Sequence, residues 1–140
     1  MYTNEQLKQK EMQVFKKALE IDETYFTETI EPINLTEKIL LEKENLKHKF
    51  IFLKEGFKQE IKNQLLYITD IKNIDENKVG IVLENLNLKK DNLIQFELTN
   101  KIDMLGYILK SPMDSYKISP LKDTLSYEKY LDTFLQVLSN

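Results

Sequence analysis

The stretch Leu93-Ile94-Gln95-Phe96-Glu97-Leu98 alternates apolar and polar side chains residue by residue. Residues two apart share one face of an extended chain, so the stretch predicts a strand with Ile94, Phe96 and Leu98 turned inward. Working outward, Val79 to Leu83 predicts a strand before it, and Leu66, Tyr67 and Ile68, from about Gln64, an earlier one. Met104 to Leu109 can form a fourth. Polar groups separate these strands as turns should: Asp75-Glu76-Asn77-Lys78, Lys89-Lys90-Asp91-Asn92 and Thr99-Asn100-Lys101. Strands following one another at this spacing indicate an antiparallel meander or a small barrel.

Helical periods flank the strands. Leu7, Val14 and Ile21 recur every seven residues, with Phe15, Ala18 and Leu19 on the same side, so Asn4 to Ile21 predicts an amphipathic helix. Thr3 followed by Gln6 has the form of a capping box at its start. Residues 22–32 are a polar connector ending at Pro32. Asn34 can then cap a second helix, with Glu37 in its first turn and Ile39, Leu40 and Leu46 inward. Phe50-Ile51-Phe52-Leu53 reads as a buried strand or as a helical continuation, and residues 50–63 stay open between the two.

Ser111-Pro112 and Ser119-Pro120 break the strand pattern. Beyond them Leu121, Leu125, Tyr130, Leu131, Phe134, Leu135 and Leu138 fall at helical spacing. They predict a closing helix packed on the sheet, capped by Ser126 or Ser119. The expected fold is α+β in a single domain over residues 1–140. It has a helical N-terminal segment over 1–50, then a small antiparallel β-barrel or meander with its C-terminal helix over 54–138.

Composition narrows the chemistry. The 140 residues contain no arginine, no cysteine and one histidine. Without cysteine there is no disulfide, thiolate nucleophile or cysteine-based zinc site. A catalytic triad would have to use His48, which lies between Lys47 and Lys49, where an exposed surface role is the simpler reading. Paired carboxylates such as Glu42 and Glu44 or Asp22 and Glu23 show no apolar flank that would raise one of them into a general acid. The three glycines are too scattered for a phosphate loop, and no calcium loop is spelled out around Asp70, Asp75 and Glu84. No catalytic residue, metal ligand or cofactor is expected, and the chain is not read as an enzyme.

A net charge of −3, with lysines and carboxylates interspersed, lacks the concentrated basic face that nucleic-acid binding needs. The apolar runs are a few residues long, far from the ~20 that span a bilayer, so membrane insertion is not expected. A polar start without a secretory pattern points to the cytoplasm.

One constellation carries more. Asp75-Glu76-Asn77-Lys78-Val79-Gly80 is D-x-N-x-x-G between two predicted strands. It resembles the second motif of PilZ domains, D/N-x-S-x-x-G, at a strand junction of a small antiparallel barrel, and the order of segments over 64–138 resembles that family too. The first motif of the family, R-x-x-x-R, has its nearest counterpart in Lys54-Glu55-Gly56-Phe57-Lys58, where lysines stand in place of both arginines. Another reading makes residues 75–78 a hairpin turn, with Gly80 relieving a tight backbone approach.

The resemblance implies a ligand site drawn from Lys54, Lys58, Asp75, Asn77 and Gly80. It also implies loss of the family's ligand, cyclic diguanylate, because lysine lacks arginine's planar fork for phosphate and guanine. Cyclic diguanylate is therefore possible but disfavoured, and a protein partner is expected. The leading expectation is a non-catalytic PilZ-like adaptor or regulatory protein in bacterial motility or second-messenger signalling. Two alternatives stand beside it. One is a stand-alone inhibitor, a toxin-immunity or phage anti-defence protein with an acidic face using Asp22, Glu23, Glu28 and Glu31. The other is a helical assembly chaperone whose apparent strands are helices.

Overall fold

A computed structural model of the chain describes residues 3–56, 58, 61–114 and 126–139. The Ser119 cap, Leu121, Leu125 and Phe57 of the expected motif lie outside them. Two compact units form, one from residues 1–27 with 110–140 and one from residues 28–109. The division falls near residues 28 and 110 rather than near residue 50, because the short second helix packs with the sheet while the two ends of the chain pack together.

In the first unit, helix α1 (Asn4–Ile21) begins at the expected capping box. Gln6 N–H donates to Thr3 Oγ1, and Thr3 N–H donates back to the Gln6 side-chain oxygen. Its inward stripe is Met12, Val14, Phe15 and Ala18; Ile21, expected inward, is 58% exposed because the helix ends there and the next turn has no stripe to continue. Asp22 caps the chain as it leaves, its Oδ1 accepting from the N–H and the hydroxyl of Thr24. The closing helix expected from the periodicity is present as the fourth helix of the chain, α4 (Tyr127–Ser139). Ser126 stands at its start, its Oγ accepting from Lys129 N–H at 3.5 Å.

Within this unit the partner of α4 is α1. Phe134 stacks edge-on with Phe26 and with Tyr130 at 5.2 and 5.7 Å between ring centres, and Phe26 meets Phe15 at 5.5 Å. Edge-to-face packing of this kind adds about 0.5–1.5 kcal/mol per pair beyond area burial. The Tyr130 hydroxyl, buried with its ring, donates to Pro112 O in a 3-10 turn, Pro112–Asp114.

The second unit is a six-stranded antiparallel sheet in the order β1-β6-β2-β3-β4-β5. Its strands are β1 (Ile33–Asn34), β2 (Phe50–Glu55), β3 (Gln64–Asp75), β4 (Lys78–Glu84), β5 (Leu93–Thr99) and β6 (Leu105–Ile108). β2 to β5 form the expected meander, and β6 returns beside β2. The four predicted strands are all strands, so the all-helical reading of the assembly-chaperone alternative loses its premise. The open question at residues 50–53 resolves as strand. Of the two sheet forms anticipated, the ladder shows the meander: its outer strands β1 and β5 do not pair with each other among the described residues.

Alternation sets the core. Ile51 and Leu53 of β2, Leu66, Ile68 and Ile71 of β3, Val79, Ile81 and Leu83 of β4, Leu98 of β5 and Ile108 of β6 cluster on one face. Helix α2 (Leu35–Leu41) lies against them through Leu35 and Ile39, touching both β5 and β6, and helix α3 (Lys43–Leu46) adds Leu46. Asn34 caps α2 as expected, its Oδ1 accepting from Glu37 N–H.

Gly106 is where β6 needs glycine. A Cβ there would collide with the Phe52 carbonyl oxygen and crowd Leu35. Gly80 has no such role: a Cβ would find Ile74 and Lys72 at 3.8 and 3.9 Å, ordinary contact, so the tight approach expected there is absent.

Candidate functional site

A concavity of the second unit, about 650 Å³, runs between residues 40–45 of α2 and α3 and residues 73–76 at the tip of the β3–β4 hairpin. Three local features build it. Thr36, nearly fully buried, donates its hydroxyl to Ile102 O at 2.6 Å and accepts from Met104 N–H at 3.1 Å, which pins the start of α2 to the chain before β6. Glu42 ends α2 and opens α3, turning the backbone so that Leu41 points outward at 75% exposure.

On the other wall, Asp75 pairs with Lys78 across the two-residue loop Glu76-Asn77, and Asn77 N–H donates to Asp75 Oδ1 at 2.9 Å. Neither loop residue has a positive φ, so this is not the mirror-type turn usual in tight hairpins; a register shift between Asn73 and Asp75 absorbs the twist instead. The same bulge region leaves Ile74 half exposed.

The groove therefore presents three apolar side chains, half-buried Leu40 and the more exposed Leu41 and Ile74, within a lining that carries Glu42, Glu44, Asp75 and Glu76 against Lys43 alone. Two of these carboxylates are balanced from outside it. Glu42 pairs with Lys38, which holds its carboxyl below the usual range and raises the Lys38 ammonium, and Glu44 lies 3.6 Å from Lys47. At the hairpin tip Asp75 and Glu76 make no ion pair among the described residues; Lys78, the cross-strand neighbour of Asp75, lies 3.6 Å from Glu97 instead. A depressed, fully ionised Glu42 is unsuited to general-acid chemistry. Leu41 also borders a second cleft of about 310 Å³ with Glu28, Ile33 and Glu37, on the side of α2 towards residues 28–34.

The residues singled out by the PilZ resemblance separate. Asp75, Asn77 and Gly80 share the β3–β4 hairpin: Asp75 and Asn77 shape its turn, and Gly80 lies within β4. Lys54 sits beyond Leu53, which pairs with Gln64 at the opposite end of the twelve-residue β3. Its ammonium lies over the Phe52 ring at 5.5 Å, and that of Lys58 over the Phe96 ring at 5.9 Å. The two lysines cover aromatic faces, and Lys54 is not brought to Asp75 and Asn77.

Other candidates resolve as structure. His48 adopts a left-handed backbone, φ 66°, and its Nδ1 lies 3.2 Å from the Tyr67 hydroxyl on an exposed patch; among the described residues no carboxylate orients the ring as a triad would require. The carboxylates proposed for an acidic face divide between the units: Asp22 caps a turn in the first, and Glu28 pairs with Lys49 at 3.4 Å in the second. Among the described residues no three His, Asp or Glu side chains could hold a metal ion together, and no helix is long and apolar enough to cross a membrane.

The groove itself was not legible beforehand. Glu42 and Glu44 stand out in sequence only as one carboxylate pair among many, and the exposure of Leu41 and Ile74 depends on a helix break and a bulge that periodicity does not reveal. Comparison with known proteins adds no relative: no family model, no curated protein and no solved structure matches the chain.

Proposed function

We propose that the chain is a non-catalytic protein-binding module, acting in the cytoplasm as an adaptor or regulator. Its partner presents a short segment combining lysine or arginine with one or two apolar side chains. The observation that carries this reading is the groove between residues 40–45 and 73–76, where Leu41 and Ile74 stand exposed beside Asp75 and Glu76. Apolar anchors give such a site its affinity, and the flanking carboxylates select a basic partner and speed its approach.

The narrower version, a PilZ-like adaptor in motility or second-messenger signalling, draws support from the β2–β5 meander, the D-x-N-x-x-G hairpin and the C-terminal helix. Two things weigh against it: among the described residues the sheet is not closed into a barrel by strand pairing, and Lys54 is remote from the hairpin motif. The binding reading does not depend on that kinship. A stand-alone inhibitor of a basic target would use the same groove, with the difference that its partner is an enzyme or toxin silenced on binding.

A photo-crosslinking residue placed at Leu41 or at Ile74, with Gln95 as control position, tests the proposal in the native host. A partner segment rich in lysine or arginine should be captured from both groove positions and lost when Asp75→Lys and Glu76→Lys are added. Capture that is no greater than from Gln95, or that survives charge reversal, overturns it.

A further inference from the structure

The sheet ends on one side at β5, whose protection as an edge strand is limited to the single charge of Glu97. The strand has seven residues, no proline, no lysine and no bulge against β4. Such an edge offers its outward N–H and C=O groups to another strand.

Register identifies those groups. Asn85 N–H donates to Asn92 O at 2.8 Å, and the ladder continues without a shift through Glu84↔Leu93 to Lys78↔Thr99. Hydrogen-bonded and non-hydrogen-bonded pairs alternate in an antiparallel ladder. Ile94, Phe96 and Leu98 therefore bond to β4, while the backbone groups of Leu93, Gln95 and Glu97 point away from it. Among the described residues none of these three makes a backbone bond elsewhere, Leu93 is 49% exposed, and Gln95 and Glu97 are exposed too.

We propose that β5 pairs with β5 of a second copy of this chain, antiparallel about a two-fold axis at Phe96. That register sets residues 93–99 of the two copies against each other; because Thr99 O already accepts from Ile102 N–H at 3.1 Å, the backbone bonds fall mainly to the central pairs. The register makes Gln95 of one copy and Glu97 of the other a hydrogen-bonded pair, sets Leu93 opposite Thr99, and brings the two Phe96 side chains together across a non-hydrogen-bonded position, where cross-strand neighbours are closest. No two like charges face each other along the ladder: Glu97, the one charged residue of the strand, faces Gln95 of the other copy. A strand whose two-fold image is its own complement makes a second copy the occupant that fits, and the result is an isologous interface.

Sedimentation velocity over a concentration series up to millimolar tests this with three variants. Gln95→Pro removes an N–H that points away from β4, so the fold should persist by circular dichroism while the dimer is lost. Gln95→Glu places like charges opposite each other twice and should weaken the dimer about tenfold. Adding Glu97→Lys to Gln95→Glu restores opposite charges and should recover it. A wild-type chain that stays monomeric throughout the series, a dimer that survives Gln95→Pro in a folded chain, or a double variant no tighter than Gln95→Glu overturns the proposal.

Discussion

The Tyr127 hydroxyl donates to Glu11 Oε2 at 2.6 Å, joining the last helix to the first inside one compact unit. Burial pushes the Glu11 carboxyl above its ordinary value, partly offset by this hydrogen bond, and burial with the neighbouring carboxylate pushes the Tyr127 phenol upward as well. A raised carboxyl binds its proton more tightly in the folded chain. Its contribution to stability is full below the unfolded value of about 4.5 and is lost as pH rises through the raised folded value. Glu11→Gln keeps an acceptor for Tyr127 without the charge. Denaturant titrations should show the variant gaining on the wild type as pH rises from about 4.5 towards neutrality; parallel curves would show that Glu11 does not titrate differently on folding.

Tyr127→Phe at neutral pH removes the donor and leaves a half-buried carboxylate short of a partner, at a cost of about 1.5–3 kcal/mol. The loss should shrink in the Glu11→Gln background, as expected for two groups that share one interaction. Equal losses in both backgrounds would mean that the hydroxyl contributes through packing alone.

Glycine substitutions separate backbone need from motif resemblance. Gly106→Ala drives a methyl into the Phe52 carbonyl and should cost roughly 1–3 kcal/mol of stability by thermal or chemical unfolding. Gly80→Ala meets only ordinary contacts and should be neutral or stabilising by up to about 1 kcal/mol. Reversed sensitivities would contradict the register of β6 against β2.

Thr36→Val keeps shape while removing the hydroxyl that bridges Ile102 O and Met104 N–H. Two buried backbone groups lose their partner, so a destabilisation of about 1–3 kcal/mol is expected. Exchange of the Met104 amide hydrogen should accelerate, and an unchanged rate would place the anchor of α2 elsewhere.

Calorimetry with cyclic diguanylate should register no binding, both for the wild type and for a Lys54→Arg, Lys58→Arg double variant. The restored guanidinium groups would still lie apart from Asp75 and Asn77, Lys54 standing at the far end of β3. Saturable heat from either protein would revive the receptor form of the PilZ resemblance.

Local signals in the sequence carried most of the secondary structure. The Thr3 and Gln6 box, the Asn34 cap and the alternation around Phe96 each act over a few residues, and each is found where expected. What escaped was long-range. β1 is two residues long and exists only through its pairing with β6, and β3 runs on to Asp75 through an exposed stretch, 72–75, held by β4 and not by a buried apolar pattern of its own. The candidate groove joins residues about thirty positions apart, and nothing in either segment alone announces the other.

The central claim is that the groove binds a basic, partly apolar segment. It is tested most directly by amide chemical shifts of the labelled chain during titration with a short lysine-leucine peptide and with its glutamate-leucine counterpart. The account predicts saturable changes centred on Leu41, Glu42 and residues 73–76 with the lysine peptide only, diminished by salt. Changes centred elsewhere, or equal responses to the two peptides, would contradict it.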